Sequence, residues 1–345
     1  MYLLDVAETL INLGNLDQAQ NRPTEARRAY DEARNDLRQV AQQNPSDRVS
    51  LDIAMTEVDL GNLEQMQNHL EEARGHYQKS ADILVELVQH SPDLYLRDEA
   101  HILNNLARLE TAENQLNQAR QHLGTALEAF RQLAQQNRDK YLPDLALALN
   151  NLGNLDLAQM RPEAREHYEE ALDDLRELEQ KDVDTYLPDE ARTLNNLGLL
   201  DAAQGRMDEA RKHFEAALKI RDQLAQQNPD AYLEDKANTL RNLGMVNVDQ
   251  KQINEGREHF EQALDIYRKR MGQNRDRYLP YVAKTLCDLA ALDALQNQTE
   301  HARARYQEAL GMYNELSVHD PGQYSVDIMR TALALAMLQR NATGK

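Results

Sequence analysis

One submotif recurs seven times at nearly constant spacing. The leucine of an Asn-Leu-Gly core falls at Leu13, Leu60, Leu106, Leu152, Leu197, Leu243 and Leu289, at intervals of 47, 46, 46, 45, 46 and 46 residues. A chain with that period is a stack of one supersecondary unit, each burying its apolar side against its neighbours. It is not a globule folded round a cleft. Stacking also accommodates the length, because 345 residues exceed the roughly 250–300 at which a single hydrophobic core stops growing. Arrays of this kind usually offer an extended surface to another protein.

The unit itself reads as a helical hairpin. In the fourth copy, Leu145, Leu149, Leu152 and Leu155 recur at the helical step, and a second stripe follows with Ala164, Tyr168, Ala171, Leu172 and Leu175. The break between them falls at Met160-Arg161-Pro162. Pro143 and Asp144 suit a first helical turn, where a missing N–H is harmless and a carboxylate meets the positive end of the dipole. A tyrosine opens most first helices: Tyr2, Tyr95, Tyr141, Tyr186, Tyr232, Tyr278 and Tyr324. Small residues follow the core leucine at Gly14, Gly61, Ala107, Gly153, Gly198, Gly244 and Ala290. An aromatic or leucine plug stands in each second helix at Tyr30, Tyr77, Leu123, Tyr168, Phe214, Phe260 and Tyr306. Asn44-Pro45, Ser91-Pro92, Asn228-Pro229 and Asp320-Pro321 are expected to end second helices. The expected units span 1–47, 48–93, 94–139, 140–184, 185–230, 231–276 and 277–322, with a closing helix over 324–340, in one all-α domain covering 1–345.

Composition narrows the function. The formal charge is −19, which repels nucleic acid and anionic lipid and argues against binding either. The single Cys287 permits no internal disulfide. No apolar run approaches the ~20 residues of a membrane span, and the N-terminus lacks a signal-peptide pattern. The cytoplasm is the expected compartment.

An acid stands four residues after most core leucines, and an arginine follows nine or ten residues later. The pairs are Asp17 with Arg27, Glu64 with Arg74, Glu110 with Arg120, Asp156 with Arg165, Asp201 with Arg211, and Asp293 with Arg303. The hairpin turn lies midway, so antiparallel helices are expected to bring each acid level with its own arginine as a ladder of ion pairs within units.

Leu-Gly in the first helix, then Ala, Tyr or Phe, and Ala-Leu in the second, resembles the tetratricopeptide repeat. The unit here is longer than that family's usual ~34 residues. The Asn-Asn-Leu-Gly and Glu-Ala-Arg strings are most similar to long-helix variants such as kinesin light chain repeats and bacterial arrays. The resemblance covers essentially the whole chain. It implies an all-α, right-handed α-solenoid of seven hairpins plus a closing helix, with the first helices lining the concave face. It places Asn12, Asn104, Asn105, Arg108, Asn150, Asn151, Asn154, Arg192, Asn195, Asn196, Asn238, Arg241, Asn242 and Lys284 on that face. Amides there would hold the backbone of an extended segment, and the cations would favour carboxylate or phosphate. The alternative is that the asparagines satisfy neighbouring helices. The function implied is a scaffold for a protein or peptide partner, with no nucleic acid and no membrane. A second reading is a regulatory or sensor arm of a larger bacterial signalling ATPase or caspase-like protease. The closing helix is apolar on more than one side, through Val326, Ile328, Met329, Leu333, Leu335 and Leu338. It points to a segment of a longer protein or to ends that meet a partner, a homodimer included.

Catalysis is not expected. His76, His122, His167, His213 and His259 share a register in five units, but one histidine per helix, with packed helices ~8–10 Å apart, is too sparse to chelate a metal. Cys287 has no motif round it. No phosphate loop, dinucleotide fingerprint, zinc motif or nucleophile elbow occurs. Neither cofactor nor metal is expected.

Overall fold

The computed structural model describes residues 2–179, 183–319 and 322–343; these form fifteen helices, with no strand among them. They fall into two compact units, 1–181 and 182–345. The first unit contains α1 (Tyr2–Ala19), α2 (Pro23–Gln43), α3 (Asp47–Met66), α4 (Leu70–His90), α5 (Pro92–Ala112), α6 (Leu116–Gln136), α7 (Arg138–Ala158) and α8 (Ala164–Glu179). The second contains α9 (Val183–Ala203), α10 (Met207–Gln227), α11 (Pro229–Asp249), α12 (Ile253–Met271), α13 (Arg275–Leu295), α14 (Thr299–His319) and the closing helix α15 (Ser325–Thr343). Each unit is an all-α solenoid segment of consecutive antiparallel hairpins.

Every hairpin turns in the same way. One residue takes the left-handed conformation: Asn21, Asn68, Asn114, Met160, Gly205, Lys251 and Asn297. The next amide then closes back onto the carbonyl of the acid register, from Arg22 N to Asp17 O through Gln298 N to Asp293 O, at 2.7–2.9 Å in all seven turns. This cap satisfies carbonyls that a helix end leaves open, and asparagine tolerates the required φ better than most side chains.

Within each unit, several consecutive hairpins are joined with almost no loop. Ser91, Asn137 and Asn228 are single extended residues between α4 and α5, α6 and α7, and α10 and α11. The side chains of Ser46, Asn137, Asn228 and Asn274 accept from the third residue onward, at Val49, Lys140, Ala231 and Arg277, and cap first helices. Helix starts therefore differ from the sequence expectation. Pro92 and Pro229 begin the next first helix rather than merely ending the previous one. Pro143 lies inside α7, beyond the first turn, because Asn137 caps the helix earlier. The expected stop at Asp320-Pro321 lies outside the described residues.

In each unit the core sets glycines under rings. A Cβ on Gly153 would stand 2.6 Å from Tyr168 Cε1, and one on Gly198 would meet Phe214 at the same distance. Both rings are sealed, with 0% and 1% exposure. At three tyrosine plugs the hydroxyl donates to an asparagine two residues beyond the core leucine: Tyr30 to Asn15, Tyr77 to Asn62 and Tyr168 to Asn154, each at 2.7 Å; the fourth, Tyr306, has Ala291 at that position instead. Where it is Phe214 or Phe260, the facing residue is Leu199 or Met245. In these five hairpins the pair changes together, because a buried hydroxyl needs an acceptor and a ring without one does not.

Candidate functional site

Two polar bands run along the hairpins, and they behave differently. The first lies near the turns. Its acids are buried, from 0% at Glu64, Asp156, Asp201 and Asp293 to 5% at Asp17. The expected pairing with the arginine of the same hairpin is corrected by the structure. Arg27 reaches Glu64 of the next hairpin at 2.8 Å, Arg120 reaches Asp156, and Arg257 reaches Asp293 at 2.7 Å. Arg74 pairs with Glu113 in place of Glu64, Arg211 donates to Gln250 and Gln252 in place of Asp201, and Arg303 holds Glu300 rather than Asp293. Arg165 pairs with Glu169 on its own helix at 3.0 Å.

Within three hairpins, the acid meets the register histidine instead. Glu110–His122, Asp156–His167 and Asp201–His213 lie at 2.9, 2.8 and 2.7 Å. Asp293, where the register residue is Arg305, pairs with that arginine at 2.5 Å. In the sixth hairpin the acid is Asn247, and burial lowers the His259 pKa; its Nδ1 has no hydrogen-bond partner. In the second hairpin His76 meets Glu57 at 2.6 Å rather than the register acid Glu64, so the histidines serve packing between helices and follow the acid register in only three hairpins. Among the described residues no cluster of three metal-capable side chains occurs.

The second band is the first-helix face. The structure separates its residues into two sets. Asn104, Asn150 and Asn195 are buried, at 2%, 1% and 9% exposure. Asn104 accepts from Asn151 of the next hairpin and Asn195 accepts from Asn242, both at 3.3 Å, while Asn150 donates to the Ala146 carbonyl. Asn154 accepts from Tyr168 and Asn238 accepts from Tyr267, each at 2.7 Å. Arg241 is paired to Asp288 at 2.6 Å and Arg192 to Asp189 at 2.7 Å. These contacts tie Asn104, Asn150, Asn154, Asn195 and Asn238 to other groups of the array, whereas the Arg192–Asp189 pair lies at the surface. Asn12, Arg108 and Lys284 are exposed, and Asn105, Asn151, Asn196 and Asn242 are half-buried.

One cluster on this face escaped the sequence reading. Asp144 receives Arg97 Nε at 2.7 Å and lies 3.2 Å from His101 Nε2. Burial alone would raise its pKa, but hydrogen bonds from His101 and Arg97 outweigh it and hold the carboxyl below its ordinary value. Arg97 and Asp144 are separated by 47 residues, one repeat apart, and that was the available signal. Burial also raises the Cys287 thiol to about 11, and its Sγ contacts Thr331 Oγ1 at 3.5 Å. A thiol so held is not a nucleophile near neutrality.

Profiles described as tetratricopeptide repeat match residues 144–223, 189–269 and 235–315, and a second profile of that description matches 6–45. Comparison with curated proteins gave no match. Several solved structures share the fold. BtubC (BKLC) from P. vanneervenii is 22% identical with a TM-score of 0.55, covering 71% of this chain and 90% of that one. The apo quorum sensor NprR from B. thuringiensis is 16% identical with a TM-score of 0.51, covering 94% and 87%. A Rap protein complexed with Competence and Sporulation Factor is 14% identical with a TM-score of 0.50, covering 98% of each chain.

Proposed function

This chain belongs to the tetratricopeptide repeat family, and we propose that it is a non-catalytic scaffold that holds an extended protein segment along its first-helix face. One observation carries the reading. Half-buried amides stand at one register in each unit, Asn105 and Asn151 in the first and Asn196 and Asn242 in the second. An amide offers a donor and an acceptor, so a row at repeat spacing matches the main chain of a bound segment and demands little of its sequence. Exposed Arg108 and Lys284 add a preference for acidic segments. The Rap structure solved with a bound factor is consistent with this use of the fold. No helix among the described residues is long and apolar enough to cross a membrane, which fits the proposed cytoplasmic setting.

Capture of partners from the native host, followed by titration of the captured segment as a peptide, tests the proposal. Asn105→Ala with Asn151→Ala should weaken saturable binding about tenfold, near the ~0.5–1.5 kcal/mol expected for each net hydrogen bond, and leave helicity unchanged. Equal affinity of that variant and the native chain would sink the first-helix face as the site.

A further inference from the structure

Each second helix carries a core residue seven positions beyond the plug: Leu37, Leu84, Phe130, Leu175, Arg221, Tyr267 and Tyr313. All are buried, with exposure between 0% and 5%. Six are apolar or aromatic, so the stack needs no charge there. Only α10 places a guanidinium at this position, and a charge out of water without a counter-ion is costly.

What surrounds Arg221 does not neutralise it. Its Nη1 donates to Asn195 Oδ1 at 3.3 Å, to the Asp235 carbonyl at 2.9 Å and to Thr239 Oγ1. All three acceptors are uncharged, and they lie on α9 and α11, so the side chain runs from α10 into the seam between two neighbouring first helices. The Asp235 carboxylate acts on it only through space, and Arg192, one turn before Asn195 on α9, opposes it; burial is the larger influence and holds the guanidinium below its ordinary pKa. Nε and Nη2 donate to no described residue, and the residue keeps 5% exposure. Those two N–H groups form the parallel edge with which arginine grips a planar or tetrahedral oxyanion at two points.

We propose that Arg221, backed by Arg192, is an oxyanion site in the seam between α9 and α11, taking a carboxylate or phosphate group carried by the segment bound on the first-helix face. The proposal rests on the reading of that face as a binding surface. It adds one fixed point to a row of sequence-tolerant amides, and a fixed point sets the register of an otherwise sliding chain.

The intact chain can be titrated with inorganic phosphate and, separately, with acetate while the Arg221 Nε–H resonance is followed by NMR. A saturable shift with either anion is expected; phosphate alone identifies a phosphate group, and acetate alone a carboxylate. Arg221→Leu restores the residue that Leu84 and Leu175 supply elsewhere, so it should fold and lose the saturable response. Arg221→Lys keeps the charge without the two-point edge and should bind at least tenfold more weakly. Absence of a saturable shift with both anions, or equal binding by Arg221→Leu, overturns the site. Peptides that bind the first-helix face with the same affinity with or without a glutamate or phosphoserine overturn it while leaving the face intact. Phosphate saturation at Arg221 in a chain that binds no captured segment supports the site and removes the face.

Discussion

The two compact units use the same seam of glycines and rings, yet close their inner polar groups differently. In the first unit, Arg97 and His101 converge on Asp144, and Asn151 bonds to Asn104. In the second, Asn242 bonds to Asn195 and Arg241 to Asp288, but α10 also buries Arg221 without a carboxylate partner. The scaffold is the shared part, repeated because every hairpin must stack on the next. Function is to be sought where a hairpin departs from the pattern at a cost the stack does not require.

Substitutions can break or sharpen that contrast. The largest effect is expected at Asp156 of the first unit, which is fully buried and contacts His167 and Arg120. Asp156→Ala strands both partners and should cost about 3–5 kcal/mol in chemical denaturation. The sixth hairpin of the second unit already has Asn247 there, so Asn247→Asp should raise the His259 pKa, read by NMR titration. Next comes Arg221. Arg221→Leu should stabilise by about 1–4 kcal/mol, as a buried charge gives way to a packed apolar group. The reciprocal Leu175→Arg should destabilise the first unit. A loss of stability in Arg221→Leu would show that the guanidinium is structural.

A pH comparison follows. Burial raises Asp59 to about 6 from its ordinary 3.8; burial also raises its register counterpart Asp288, but there Arg241 stands beside the carboxylate and opposes the shift. A folded pKa above the unfolded one means that the fold prefers the protonated acid. Asp59 therefore favours folding at low pH, and that contribution is lost as pH rises from 3.8 through about 6. Asp59→Asn should exceed the native Tm at pH 8, by the equivalent of about 1–3 kcal/mol, and the gap should close toward pH 4. Asp288→Asn also removes a raised acid but strands Arg241, so its gain should be smaller. The smallest effect concerns the plugs. Tyr168→Phe leaves Asn154 without its donor and should cost about 1 kcal/mol. Adding Asn154→Leu, which copies Phe214 with Leu199, should recover most of it.

The helices, their order and the identity of the core residues were legible because apolar spacing is a local property. The partners within the turn band were not. In a periodic chain, Arg27 is as well placed by spacing for Asp17 as for Glu64, and only the stacking geometry selects the latter. The same ambiguity hid the bond between Arg97 and Asp144. The amide row was read as one surface, whereas the helix rotation buries Asn104, Asn150 and Asn195 and leaves their sequence neighbours Asn105, Asn151 and Asn196 partly open. Neighbouring residues on a helix point about 100° apart, so a pair of asparagines divides between the two roles. Arg221 was visible as an outlier in its register, but only its neutral surroundings give that oddity a chemical meaning.

The joints at Ser91, Asn137 and Asn228 leave no slack between hairpins. Such a chain can lengthen or shorten by whole hairpins of about 46 residues, since a partial insertion at a joint would turn every later helix away from its neighbour. Evolutionary tinkering is thereby pushed to the turns, and the reach of the array changes in fixed increments, like the markings on a ruler.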